Sequence, residues 1–441
     1  MIEFSRPHRN RSSAVPAYEV ECVMVVARYS VIIWLSVMAA CASPEVHFKR
    51  QIKAPVMLPY NTEVEKVKAA GDPIKEHARL IAPEIPAQDD VVLQEGAGRA
   101  FVTAMDGWIW RLDLKTNVAE RFVQSPLLPA GMVQHPGNDD VLYFCVSRGK
   151  GQEASKNEPG IYQLTVSTRE ITRIGTRVPL TEPRTPATGQ IGNTYPTAQQ
   201  TKFQISKLDT SNSRVVEKAD DLAISRDGQR IYFTEPYDHA GATLGASVQS
   251  RNEILSLGQN AYLWKYDLKA GTVSLVAGQY SYLDGLLLEY SGGDTETSVL
   301  VDELSKSRLL RLHLTGPRAG TDQVVLEGLP GLPDGLDRDA QGRVWIALVA
   351  ERSRLATWLH ANPFWKRLLL YLPDRLVPLS KRTGVVVASP DGSIPLYYTM
   401  HEGEIFSFVV AMLPGKHGLY PIVYKEGFKG LYLLPYPDAL K

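Results

Sequence analysis

The chain has 441 residues, 44% apolar and 22% charged, with a formal net charge of zero. That length holds one large domain or two ordinary ones, and the composition is that of a globular protein. The balanced charge, with no basic stripe interleaved with aromatics, argues against nucleic acid as a partner. The three cysteines, Cys22, Cys41 and Cys145, are too few for a disulfide framework, and none has a C-x-x-C partner that would suggest a zinc site.

Residues 24–43 read "MVVARYSVIIWLSVMAACAS". One positive charge, Arg28, precedes about twelve apolar residues from Tyr29, and small residues precede Cys41. This is the layout of an export signal. "MAAC" resembles a bacterial lipobox, in which the cysteine becomes the lipidated first residue of the mature protein. Residues 1–23 are polar and arginine-rich, so Met24 is an alternative start. Residues 1–40 are set outside the fold, and residues 41–84 are read as linker and N-terminal extension. An uncleaved signal anchor and simple secretion are the alternatives. The apolar run is short for a spanning helix, which takes about 20 residues. Lipidation at Cys41 or a signal anchor implies an exported protein of the cell envelope, membrane-anchored or periplasmic.

From residue 85 onward the chain reads as all-β. Short runs such as "RAFVTA", "DVLYFCVS", "RIYFTE", "SVLVDE", "RVWIAL" and "GVVVAS" alternate with clusters of Gly, Asp, Asn and Pro. Cys145, inside "VLYFCV", reads as a buried inert thiol. "MDGWIWRLDLKTN", "AYLWKYDLKAGTV" and "GIYQLTVSTREIT" repeat a strand–turn–strand order. A period of about 40–60 residues with about four strands each predicts a β-propeller of about six blades over residues 85–441. A pair of β-sandwiches is the alternative.

Two segments interrupt the pattern. Residues 176–217 are rich in Thr, Pro, Gln and Ser and read as a long inter-strand loop. Residues 355–380 place Trp365, Leu368, Leu369, Leu372 and Leu376 at helical spacing beside Lys366 and Arg367. Pro363 suits a helix start and Pro373 a stop or kink. The plain reading is a short helical insertion packed on the propeller rim; the sharper one is a lid or a membrane-surface contact.

Five stretches in order resemble one family. They are "DDVVLQEGAGRAFVTAMDGWIWRLD", "ADDLAISRDGQRIYFTE", "YLDGLLLE" with "VLVDELSKSRLLRLHLTG", "LPGLPDGLDRDAQGRVWIAL" and "NPFWKRLLLYLP". Together they resemble the strictosidine synthase-like branch of the six-bladed superfamily that includes SMP-30-type gluconolactonases and paraoxonases, over about residues 85–437. The resemblance implies a six-bladed propeller with oxygen ligands for a divalent cation on its axis. Carried over by motif, those positions fall on Asp89, Asp220, Asp284 and Asp334. Only Asp334 keeps the family's usual residue, and Gly335 stands where relatives carry Asn.

Four converging carboxylates repel one another, so some must take up protons unless a cation is present. Hard oxygen donors suit Ca²⁺ first, then Mg²⁺ or Mn²⁺. An Asp before a strand is also ordinary turn chemistry, and Asp227 and Asp339 are read as turn residues. A metal there would polarise an ester or lactone carbonyl. All-acid ligation makes it a weaker Lewis acid than a mixed ring, which leaves a structural ion open. Among His135, His239 and His401, His401 in "YTMHEGEIF" is taken as the candidate catalytic base. No G-x-S-x-G elbow is present. The glutamate that strictosidine synthase uses before its last Leu-Tyr strand has no counterpart in "IFSFVVAML", with Glu404 lying just upstream, which argues against the alkaloid-forming reaction. The expected function is a calcium-dependent lactonase or arylesterase-type hydrolase. The alternative is a non-catalytic propeller that binds a ligand or partner.

Overall fold

Strand after strand of this sequence is apolar on both faces, as in "LYFCV" and "GVVVA", whose residues are all buried. Such strands suit sheets stacked between two neighbours rather than a sheet with one wet face. The computed structural model describes residues 55–441 apart from 153–154, 181–201, 246–247 and 371–379. The expected export segment, the expected lipidation site Cys41 and residues 371–379 of the expected helical insertion lie outside the described residues.

The sheets are antiparallel blades around a common axis. Their innermost strands are Gln88–Gln94, Leu128–His135, Leu222–Ile224, Leu283–Tyr290 and Gly331–Arg338. Four blades have four strands, and the third gains a fifth, Phe203–Gln204, from the flank of the expected long loop. The count is five blades rather than the six expected. Beyond the fifth, Val409–Gly415 pairs with Gly418–Val423, and Lys429–Leu433 pairs with Arg79–Pro86, as separate two-stranded ribbons. The ribbons touch through one bridge, Leu419 with Leu434, bonded in both directions at 2.8 and 2.9 Å. Two residues on, Pro421 has no N–H to donate, and the ladder between the ribbons stops there. Arg79–Pro86 falls within the expected N-terminal extension, so that part of the extension is strand.

Apolar seams close the ring. Phe101 and Phe144 share the seam between blades one and two, Cys145 and Phe233 the next, and Leu263 and Val299 the third. Leu300 and Ile346 join blades four and five, Trp345 and Met412 join blade five to the first ribbon, and Val410 and Val102 return to blade one. Each fully buried side chain of this size contributes about 1.5–3 kcal/mol, so the seams, and not the loops, hold the axis in place.

Among the described residues, five short α-helices decorate the rim. α1 (Thr62–Lys66) and α2 (Pro73–His77) are capped by Asn61 and Asp72. α3 (Val248–Ser256) follows the second strand of blade three. α4 (Arg354–Ala361) and α5 (Pro363–Leu369) form the expected helical insertion in blade five. It is two helices rather than one because Pro363 opens a new first turn after Asn362.

Candidate functional site: an acid ring at one end of the axial channel

In four of the five blades the pairing of the innermost strand is interrupted near its start. The pairing skips Asp89 in blade one, Ala130–Gly131 in blade two, Asp284–Gly285 in blade four and Asp334–Gly335 in blade five. In blade three, Asp220 and Asp221 directly precede the strand and hold Thr234 by backbone bonds of 3.2 and 3.0 Å. A bulge leaves one residue unpaired and re-aims its side chain. The four aspartates expected as a set, Asp89, Asp220, Asp284 and Asp334, all occupy this position. Ala130 occupies it in blade two and Val410 in the first ribbon.

The second residue of each pair meets the neighbouring blade. A side chain on Gly131 would lie 2.7 Å from the Asp221 carboxylate, and one on Gly335 would lie 2.7 Å from the Val410 carbonyl. Gly335 is therefore required by the approach of the next ribbon. Where the second residue is an acid, it bonds across the junction. Asp90 accepts from Val91 N at 2.6 Å and from Met132 N of blade two at 2.7 Å. Asp221 accepts from Leu222 N at 2.7 Å and Leu286 N of blade four at 3.3 Å. These two acids clip blades together.

The innermost strands line a channel of about 1220 Å³. Asp89, Asp220, Asp284 and Asp334 face its first stretch, while Glu95, Arg226, Arg343, Lys416 and Lys441 line the rest. Asp220 and Asp284 are only 7% and 6% exposed. Burial pushes the Asp89, Asp284 and Asp334 carboxyls well above the usual carboxylate range; Asp220 repels all three, and Asp284 repels Asp89 and Asp334. For Asp284 the upward push is partly offset by the Lys218 ammonium and by Asp334. Burial also raises Asp90, to about 7, against the pull of its two backbone N–H donors. Burial and the charge of Asp90 raise Asp337 further along the channel.

Two groups that sequence reasoning missed complete the site. Lys218 is buried, its ammonium 2.8 Å from Asp220 Oδ2 and donating to Tyr282 Oη at 2.9 Å. The Tyr237 and Tyr282 rings lie 5.2 and 4.9 Å from it. Tyr282 takes a left-handed backbone, φ 62°, a strained choice for a bulky residue that serves to present its hydroxyl. Asp302 is fully buried on the second strand of blade four, and neither of its oxygens makes a hydrogen bond of good geometry. Burial first and Asp284 second raise its pKa, partly offset by the nearby Gly285 N–H. The sequence held a signal for it: "VLVDE" aligns with "AFVTA" and "IYFTE", and Asp302 stands where Thr103 and Thr234 pair with their blade's dyad.

No family model matches the chain. Adipocyte plasma membrane-associated protein of Bos taurus is 25% identical over 225 residues, covering 48% of this chain and 52% of that protein. Strictosidine synthase-like 10 of Arabidopsis thaliana is 30% identical over 156 residues, covering 35% and 38%. The chain is homologous to these two proteins over less than half of its length. It spans about half the length of the curated relatives it matches. Solved structures with a related outline include a gluconolactonase of Xanthomonas campestris, at 12% identity, 90% and 97% coverage and TM-score 0.45. A luciferin-regenerating enzyme gives 8% identity, 82% and 95% coverage and TM-score 0.44.

The three candidate histidines do not join the acids. His401, expected as the catalytic base, lies on the outermost strand of blade five, Pro395–His401, and is fully buried. Its Nδ1 is bonded to Asp72 Oδ2 at 2.7 Å, and its Nε2 accepts from Ile405 N at 3.1 Å. Both nitrogens are thus engaged in anchoring α2. His239 is bonded to Glu253 of α3 at 2.9 Å. His135 lies at the far end of its strand against Tyr143. Cys145 is buried and free, its thiol pushed up by burial and then by Asp221 and Asp220, as expected of an unreactive thiol.

Among the described residues, no three His, Cys, Asp or Glu side chains are drawn together in metal-chelating geometry. The donor set itself suits a hard cation. Several carboxyls crowd one end of the channel with raised pKa values, Asp302 has two unpartnered oxygens, and the ammonium that contacts the ring is a single one.

Proposed function

We propose that the axial channel binds a divalent cation, Ca²⁺ before Mg²⁺ or Mn²⁺, and hydrolyses a lactone or ester of a small molecule. The crowding of buried carboxyls on bulged strand starts carries this reading. Asp89, Asp220, Asp284 and Asp334 would hold the ion, which when bound would act as a Lewis acid toward a carbonyl oxygen. The chain's own part is to place the four acids by bulge geometry and to exclude bulk water by the apolar strands. His401 takes no part in this reading.

The homologue from Bos taurus is a plasma membrane-associated protein by name, which supports a membrane association; export, and attachment through Cys41 or a signal anchor, rest on the sequence of residues 24–43. Among the described residues no helix is long and apolar enough to cross a membrane.

The test is turnover of aryl acetates and lactones, with loss in EDTA and recovery with Ca²⁺. Asp334→Ala should lower kcat by about 100-fold or more while the chain stays folded. One observation favours a second reading, a ligand-binding propeller without turnover: Lys218 already neutralises Asp220. Metal content without turnover over a broad ester and lactone panel would select it.

A further inference from the structure

α4 and α5 stand on the acid-ring end of the molecule, because they leave blade five where Glu351 pairs with Gly331 at the start of the innermost strand. Their inner sides are accounted for. Leu359, His360, Lys366 and Leu370 are buried, and Leu370 packs with Leu255 of α3. Their outer sides are not. Leu355, Trp358, Phe364, Trp365 and Leu368 are 60%, 48%, 64%, 52% and 47% exposed. Single exposed apolar residues are ordinary, but five large ones on two consecutive short helices form a patch of the kind that marks an interaction surface. Arg354 and Arg367 are exposed beside it.

The path of the chain says what this patch meets. Val56 N donates to the His360 carbonyl at 2.9 Å, Arg352 donates to the Leu58 and Pro59 carbonyls, and Tyr60 Oη lies 3.2 Å from Thr357 Oγ1. The N-terminal segment of the described chain, residues 56–60, is therefore fastened to α4 and to Arg352 just ahead of it. The apolar run of residues 24–43 ends twelve residues before Pro55, and that stretch spans at most about 40 Å. Any membrane engaged by the run is held within that reach of the patch.

We propose that the outer face of α4 and α5 is a second membrane contact, seated in the interface of a phospholipid bilayer. Trp358 and Trp365 lie at headgroup depth, Phe364 and Leu368 reach toward the acyl chains, and Arg354 meets anionic headgroups. This rests on the reading that residues 24–43 engage a membrane. It adds that the acid-ring end faces the bilayer, so the substrate class shifts toward lipophilic esters or lactones that partition there.

The test uses the full chain with Trp34→Phe, reconstituted with phosphatidylcholine/phosphatidylglycerol vesicles carrying brominated acyl chains. Sedimentation with vesicles reports the anchor, and quenching of tryptophan fluorescence reports the face. Both are expected, and Trp358→Phe with Trp365→Phe should remove most of the quenching without releasing the protein from the vesicles. Sedimentation with quenching that is absent, or unchanged in the double variant, overturns the proposal and leaves the anchor standing. Neither sedimentation nor quenching overturns both. Burial of Trp358 and Trp365 in a lipid-free dimer would assign the face to a second copy and overturn it too.

Discussion

Asp334 and Asp339 belong to one hairpin, and their surroundings are opposite. Asp339 accepts from Gln341 N and Arg343 N at 3.0 Å each, from Arg343 Nε at 2.6 Å and from the Trp345 indole at 2.9 Å. Asp334 is raised by burial and repelled by Asp284, Asp302, Asp220 and Asp89. The same contrast separates Asp227, satisfied by Ser225 and Gln229, from Asp220 and Asp284. A turn acid sits where backbone N–H groups converge. A bulge acid is turned out of its own ladder toward the axis, where its neighbours are other acids. One class stabilises the fold, and the other stores electrostatic stress that a ligand can relieve.

Substitutions separate the two classes by sign. Asp339→Ala should be the most damaging, costing about 3–5 kcal/mol by urea unfolding, because the Trp345 and Arg343 donors lose their acceptor inside the fold. Asp302→Asn should do the reverse. It removes a buried carboxylate without good partners, and we expect a gain of about 1–2 kcal/mol at pH 7.5 in metal-free buffer. A loss of stability there would mean that Asp302 has a partner the ring depends on.

The pH dependence sharpens the same contrast. The folded value of Asp90, about 7, lies above its ordinary value near 4. The folded state therefore binds the extra proton, and stability is full at low pH and is lost as pH rises through about 7. Asp89, Asp284 and Asp334 are shifted in the same direction. Metal-free protein should melt at a higher temperature at pH 5 than at pH 7.5, by several degrees. A Tm that rises over that interval would show that the turn acids, not the ring, set the pH response. The smallest effect is expected on the rim, where Trp358→Ser should change stability by no more than about 0.5 kcal/mol.

Much of this was legible in the sequence because the repeat writes each strand start the same way. "DDV", "DDL", "LDGL" and "PDGL" precede matched strands, and all four lead acids reach the ring. The turn roles of Asp227 and Asp339 were legible from "RDGQ" and "RDAQG" for the same reason. Lys218 was not, since its partner Tyr282 is on another blade and no local pattern links them. His401 misled because a histidine before a glycine-containing turn looks available, whereas Asp72, far upstream in the chain, occupies its ring. The blade count came out at five rather than six because a period counts strands, while a single proline, Pro421, decides whether two ribbons join into one sheet.

The central claim is that Asp89, Asp220, Asp284 and Asp334 act as one cation-seeking site. Its most direct test is the Tm at pH 7.5 in EDTA and in millimolar Ca²⁺, for the parent chain and for Asp284→Asn with Asp334→Asn. The parent should gain several degrees with Ca²⁺, and the double variant should gain little. Equal Tm values for the parent with and without Ca²⁺ would contradict it.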